Sequence, residues 1–148
     1  MKVSGFTFIR NAIKYDYPIV EAIKSILPIC DEVVVAVGKS DDATLSLIQN
    51  IDPKIRIVES VWDEKLKESG EVLAVETNKA FNEIDANTDW CLYIQGDEAI
   101  HEKYLGAVQA AMQQYKDDKN VDGFITLYIK APVGVCIYFI KCFIGFNR

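Results

Sequence analysis

Two adjacent carboxylates, Asp97 and Glu98, follow the apolar run 90–94 in the segment Gln95-Gly96-Asp97-Glu98. Paired acids at a strand end can hold a hard divalent cation, which in turn bridges a diphosphate and neutralises a leaving group. Two more polar clusters follow apolar runs: Arg10-Asn11 after residues 3–9, and Gly38-Lys39-Ser40-Asp41-Asp42 after residues 33–37. Turn chemistry accounts for one or two such clusters; three in succession favour a binding site. The competing reading of the fourth-strand cluster is local: Asp97 caps the following helix and Glu98 is its first-turn acid. His101, the only histidine, reads as a solvated surface residue that could still reach a cation at Asp97. Trp62, in a charged loop, either anchors that loop or stacks on a ligand.

The elements that must position these clusters alternate. Val3 to Ile9 reads as a strand. Ile19, Val20, Ile23, Ile26 and Leu27 then mark one face of a helix, with Asp16 and Pro18 at its start and Pro28 at its end. The unbroken run Val33-Val34-Val35-Ala36-Val37, closed by Gly38, is what a strand covered on both faces looks like. Asp41 or Asp42 can cap a helix carrying Leu45, Leu47, Ile48 and Ile51. A third strand over 55–58, a polar loop over 59–69 and a helix over 70–84 using Leu73, Ala80 and Ile84 follow. The fourth strand is 90–94, the next helix carries Tyr104 to Tyr115, and a fifth strand covers 122–129. Strand and helix alternate four times, which predicts an α/β fold with a mostly parallel, doubly wound sheet and helices on both faces. In such sheets ligands bind beyond the carboxyl ends of the strands, where all three polar clusters fall.

Composition narrows the partners. The chain has 148 residues and a net charge of −6. Three of its 16 basic residues and none of its 22 acidic ones fall in 127–148, so residues 1–126 carry −9. A body that acidic repels nucleic-acid backbones but welcomes a divalent cation between itself and a diphosphate. The four cysteines form no C-x-x-C pair, and Cys30 and Cys91 read as small buried hydrophobes in a reducing compartment. The N-terminus enters a strand-like run directly instead of a signal-peptide core, so a cytoplasmic protein is expected. No G-x-G-x-x-G, Walker loop or G-x-S-x-G is present.

The segment Asp31-Glu32-Val33-Val34-Val35-Ala36-Val37-Gly38-Lys39-Ser40-Asp41-Asp42-Ala43-Thr44-Leu45 resembles the D-E-I-V-V-V-D-x-G-S-T-D-G-T-L stretch of family 2 glycosyltransferases, which have the GT-A fold. Arg10-Asn11 resembles that family's R-N-E, Asn78 the Asn of its A-R-N helix, and residues 89–98 its D-W-I-L-x-L-D-A-D-E, the DxD region. The order and spacing match over residues 2–125. Three positions depart: Val37 stands where the family has a base-binding Asp, Gln95 replaces the first Asp of DxD, and Thr77 replaces the Arg before Asn78. The resemblance implies a GT-A-like three-layer fold in which Arg10, Asn11, Ser40, Asp42, Asn78 and Gln95 shape a nucleotide pocket. It further implies that Asp97 and Glu98 hold Mg²⁺ or Mn²⁺, and that the donor is a UDP-linked nucleotide sugar transferred to an unknown acceptor. A nucleotidylyltransferase would share the strand-end acids but expects a Gly-rich, basic loop after the first strand, which Phe8-Ile9-Arg10-Asn11-Ala12 lacks.

Residues 1–126 are thus expected to be the nucleotide-sugar-binding domain and residues 127–148 an apolar tail. The run from Ala131 to Phe146 shows neither strand alternation nor helical period. It is also a poor bilayer span. A covering strand, an interfacial membrane anchor and an aberrant or truncated reading compete for it, and the composition break near residue 127 favours the last. The acceptor site and catalytic base of GT-A enzymes usually follow the matched region, so the other expectation is a non-catalytic α/β module that binds a nucleotide or a protein partner.

Overall fold

The computed structural model describes residues 1–66, 70–128 and 135–141, with side chains through residue 123. Within them the chain runs β1 (Val3–Ile9), α1 (Ile19–Ile26), β2 (Glu32–Gly38), α2 (Thr44–Gln49), β3 (Ile55–Ser60), α3 (Glu71–Asn82), β4 (Trp90–Tyr93), α4 (Leu105–Gln114), β5 (Gly123–Tyr128) and β6 (Val135–Lys141). One six-stranded sheet has the order β3-β2-β1-β4-β6-β5. The first four of these neighbours pair in parallel, and β6 pairs antiparallel with both β4 and β5. The domain boundary expected at residue 126 falls inside β5, and residues 135–141 of the apolar tail form β6. The rest of that tail, including Lys130, Cys142 and Arg148, lies outside the described residues.

The unbroken apolar run of β2 serves two cores at once. Val33, Val35 and Val37 pack with Ile19, Ile23 and Ile26 of α1, Ile48 of α2, and Val108 and Met112 of α4. Val34 and Ala36 face the other way, against Ala80 of α3 and Phe6 of β1. Because successive side chains of a strand point to opposite faces, only a strand roofed by helices on both sides is apolar without interruption. Trp90, fully buried in β4, donates its indole N–H to the Met112 carbonyl at 3.1 Å and so pins α4 to the sheet.

Chain order and sheet order part company at one place. From β1 the chain winds outward through β2 to β3, then α3 returns along the opposite face and delivers β4 to the other side of β1. The carboxyl ends of β1 and β4 therefore flank the point at which the strand order reverses, and both strands lead into helices, α1 and α4, on the same face of the sheet.

Some local expectations are met and others are corrected. Asp16 precedes α1, in a left-handed conformation (φ 54°), instead of occupying its first turn. Pro28 lies in a short 3₁₀ turn, Leu27–Ile29, that ends α1. Leu73, expected on the buried face of α3, is 48 % exposed, and that face is built by Val72, Glu76 and Ala80. Cys30 is a free, buried thiol whose pKa burial pushes up to about 12, with Asp31 adding to the rise. Cys91 is buried as expected but disulfide-bonded, so it is not the free thiol from which a reducing compartment was inferred. Among the described residues no helix is long and apolar enough to cross a membrane.

Candidate functional site at the carboxyl ends of the parallel strands

A cavity of about 540 Å³ opens at the reversal point, within the size range of small-molecule sites. Arg10 and Asn11 line it from the end of β1, Gln95, Gly96 and Asp97 from the end of β4. Lys14, Tyr15, Tyr17, Asp41, Trp62, Glu64 and Leu73 complete the wall.

Asn11 is buried at φ 53°, a left-handed conformation that asparagine tolerates better than most residues. It is over-determined there. Its backbone N–H donates to Ser40 Oγ at 2.9 Å, and its Oδ1 accepts from the Asp41 N–H at 2.8 Å. Ser40 in turn donates to the Gly38 carbonyl at 2.8 Å. Thr44 Oγ accepts from the Ala12 N–H at 2.7 Å, and Asp42 accepts from the N–H groups of Lys14 at 2.8 Å and Thr44 at 2.9 Å and from the Thr44 hydroxyl. Burial opposes the ionisation of Asp42, but the Thr44 hydroxyl and the Lys14 and Thr44 N–H groups outweigh it and hold its pKa below the usual carboxylate value. Ser40, Asp42 and Thr44 thus clamp the loop after β1 to the loop after β2. Ser40 and Asp42 line a neighbouring cavity with Lys39 and Glu59 and do not line the one that holds Asp97.

Arg10 is held from three sides. Its Nε donates to the Lys39 carbonyl at 3.0 Å, its guanidinium lies 5.6 Å from the centre of the Trp62 ring, and Nη1 meets Glu64 Oε1 at 2.7 Å. Trp62 reaches this position because β2 ends in a glycine: a Cβ on Gly38 would stand 2.4 Å from the indole nitrogen. On the wall's other side Lys14 approaches Asp41 at 3.5 Å. Two cations and two carboxylates are therefore already paired, whereas Asp97 is exposed and has no partner among the described residues.

Glu98 points elsewhere. It is buried, its Oε2 accepts from the Gln95 N–H at 3.2 Å, and its own N–H donates to the Gln95 carbonyl, so it braces the turn that presents Gln95 and Asp97. Neither acid belongs to the next helix, contrary to the capping alternative. That helix opens with a 3₁₀ turn at Glu102, and His101 caps it by accepting from the Lys103 N–H at 3.2 Å. Asn78 is exposed on α3 and lines neither of these two cavities. Of the residues expected from sequence, the fold brings Arg10, Asn11, Gln95 and Asp97 around one space and sets Ser40 and Asp42 behind it. It leaves Asn78 and Glu98 off its lining. The wall residues missed in sequence are Tyr15 and Tyr17, exposed at 59 % and 44 %, together with Lys14 and Glu64. Two large aromatics four to six residues after the Arg10-Asn11 cluster were the one available signal.

Among the described residues no three His, Cys, Asp or Glu side chains converge to form a protein-only metal site. The donor set fits a different arrangement, in which a magnesium-like ion takes one or two carboxylates and completes its shell with water and substrate phosphate oxygens. Asp97 could supply such a carboxylate.

The architecture is α/β and GT-A-like: a mostly parallel sheet covered by helices on both faces, with its cavity where the strand order reverses. TarS of S. aureus superposes on the chain with a TM-score of 0.58 at 19 % identity, over 84 % of this chain and 21 % of TarS. A shorter TarS chain in complex with UDP-GlcNAc gives 0.57 at 21 % identity, over 78 % and 32 %. The 4-diphosphocytidyl-2C-methyl-D-erythritol synthase of Anaerococcus prevotii gives 0.63 at 11 % identity, over 95 % and 71 %. The chain thus spans between a fifth and a third of the TarS chains it matches. No family model matches the chain, and no curated protein sequence does. At these identities the likeness establishes the fold.

Proposed function

We propose that residues 1–126 are the nucleotide-sugar-binding part of a glycosyltransferase resembling family 2, taking a UDP-linked donor with Mg²⁺ or Mn²⁺. The observation that carries this reading is the placement of Arg10 and Asp97 on one cavity at the reversal point of a GT-A-like sheet. Arg10 presents a planar fork suited to phosphate oxygens. Gln95, exposed on the same wall, can bond a ribose hydroxyl without adding charge. Ser40 and Asp42 hold the loops rather than the ligand, because their polar atoms are already engaged, whereas Asn11, engaged through its backbone N–H and Oδ1, also faces the ligand from the cavity wall. A divalent cation, when bound, would supply charge neutralisation for the diphosphate; Asp97 would be the residue to hold it, and Glu98 braces the turn that presents Asp97.

Two structures support the ligand class: a matched TarS chain is in complex with UDP-GlcNAc, and another is in complex with UDP. The synthase likeness raises a second reading, nucleotidylyl transfer. The loop after β1 argues for the first, since it carries Arg10 and Lys14 but no glycine-rich phosphate cradle. Calorimetric titration with UDP, CDP and GDP, with and without Mn²⁺, tests the proposal. UDP should bind best and only with metal, and Asp97→Asn should weaken it roughly tenfold or more while the melting temperature stays put. Binding that ignores both the metal and Asp97 would remove the cation from the mechanism, and absence of any nucleotide binding would leave a non-catalytic module.

A further inference from the structure

Two of the three contacts that hold Arg10 do not involve Glu64. The bond from Nε to the Lys39 carbonyl fixes one edge of the guanidinium, and the Trp62 ring covers it at 5.6 Å. The Nη1 edge is turned toward Glu64, and both residues line the cavity. Glu64 sits in a one-turn 3₁₀ helix, Glu64–Leu66, started by Asp63, whose Oδ1 accepts from the Lys65 N–H at 2.9 Å. Its side chain is 60 % exposed, against 22 % for Arg10. A pre-placed guanidinium in a cavity therefore carries a carboxylate on the edge that a phosphate would use.

We propose that Glu64 is a stand-in anion on Arg10, displaced when the ligand's phosphates arrive, and that it sets how strongly the cavity favours phosphorylated over neutral ligands. An exposed ion pair contributes at most about a fivefold factor to an equilibrium. A diphosphate brings more charge and can engage the guanidinium fork with two oxygens, so it outcompetes a single carboxylate. Glu64 thereby lowers the affinity for every anion on Arg10 and leaves the affinity for a neutral nucleoside untouched. The identity of the ligand rests on the nucleotide-sugar reading; the contest for Arg10 does not.

The test is calorimetric titration of wild type, Glu64→Gln and Asp63→Asn with UDP, uridine and inorganic pyrophosphate at constant Mg²⁺. Asp63→Asn removes the same charge from the neighbouring residue, keeps an oxygen for the Lys65 N–H, and does not touch Arg10. The expected result is that Glu64→Gln tightens UDP and pyrophosphate about fivefold, leaves uridine unchanged, and that Asp63→Asn alters none of them. Pyrophosphate tightened in Glu64→Gln without binding of UDP or uridine would uphold the stand-in role and remove the nucleotide. UDP binding that is equal or weaker in Glu64→Gln would overturn the stand-in role and leave the nucleotide reading intact. An equal gain in Asp63→Asn would overturn it too, by reducing the effect to the general field. Failure of all three ligands to bind any of the three proteins would overturn both.

Discussion

Gly38→Ala probes the packing that holds the cavity wall, and its cost can be worked from the geometry. Gly38 has no left-handed φ, so alanine meets no backbone strain there and the effect is steric. The added methyl would lie 2.4 Å from Trp62 Nε1, 2.8 Å from its Cδ1 and 3.1 Å from Arg10 Cβ. Ordinary contact begins at 3.4 Å, so the indole must retreat by 1.0 Å, the difference between 3.4 and 2.4 Å. Its neighbours resist, because Phe8 packs on one side at 6.0 Å between ring centres and Arg10 lies over the ring. Overpacking of this kind costs about 1–3 kcal/mol. If the ring swings out instead, the lost aromatic and cation–π contacts cost a similar amount, roughly 1–2 kcal/mol. Urea unfolding of wild type, Gly38→Ala, Trp62→Ala and the double variant gives the answer as a cycle. The alanine should cost about 1–3 kcal/mol beside Trp62 and under about 0.5 kcal/mol without it. An equal cost in both backgrounds would refute the clash, and so would no cost in the wild type.

Other expectations follow from the same contacts. Thr44→Val removes the acceptor of the buried Ala12 N–H and a donor to Asp42, and should destabilise by about 1–3 kcal/mol in denaturant titration; a neutral result would mean that the two loops are not clamped through Thr44. Asp85 has its pKa lowered from 3.8 to about 2, first by the Asn87 N–H and then by Lys2. A carboxylate that binds its proton less readily when folded stabilises the fold above 3.8 and loses that contribution as pH falls toward 2. The stability gap between wild type and Asp85→Asn should therefore shrink over that window, and a gap that persists at pH 2 would contradict the assignment.

Much of the fold was legible because its signals are local. The run 33–37 announced a strand roofed on both sides, and the structure divides those five residues between two cores. The period of Ile19, Ile23 and Ile26 located α1, and polar clusters after apolar runs located the loops at the strand ends. Tertiary structure alone decided how these pieces share space. That β4 lies beside β1, and that β6 enters between β4 and β5, depends on pairing across long stretches of chain, which hydrophobic period does not encode. The same limit governs the site. Asp97 and Glu98 are adjacent in sequence and look equivalent, yet the turn exposes one to the cavity and folds the other back onto the Gln95 N–H. Ser40 and Asp42 looked like ligand contacts because loop polarity is visible in sequence, but their atoms are taken by Asn11, Lys14 and Thr44 from other segments or turns. Which polar atom is left over for a ligand is fixed only when every other donor and acceptor has found its partner, and that is a property of the folded chain.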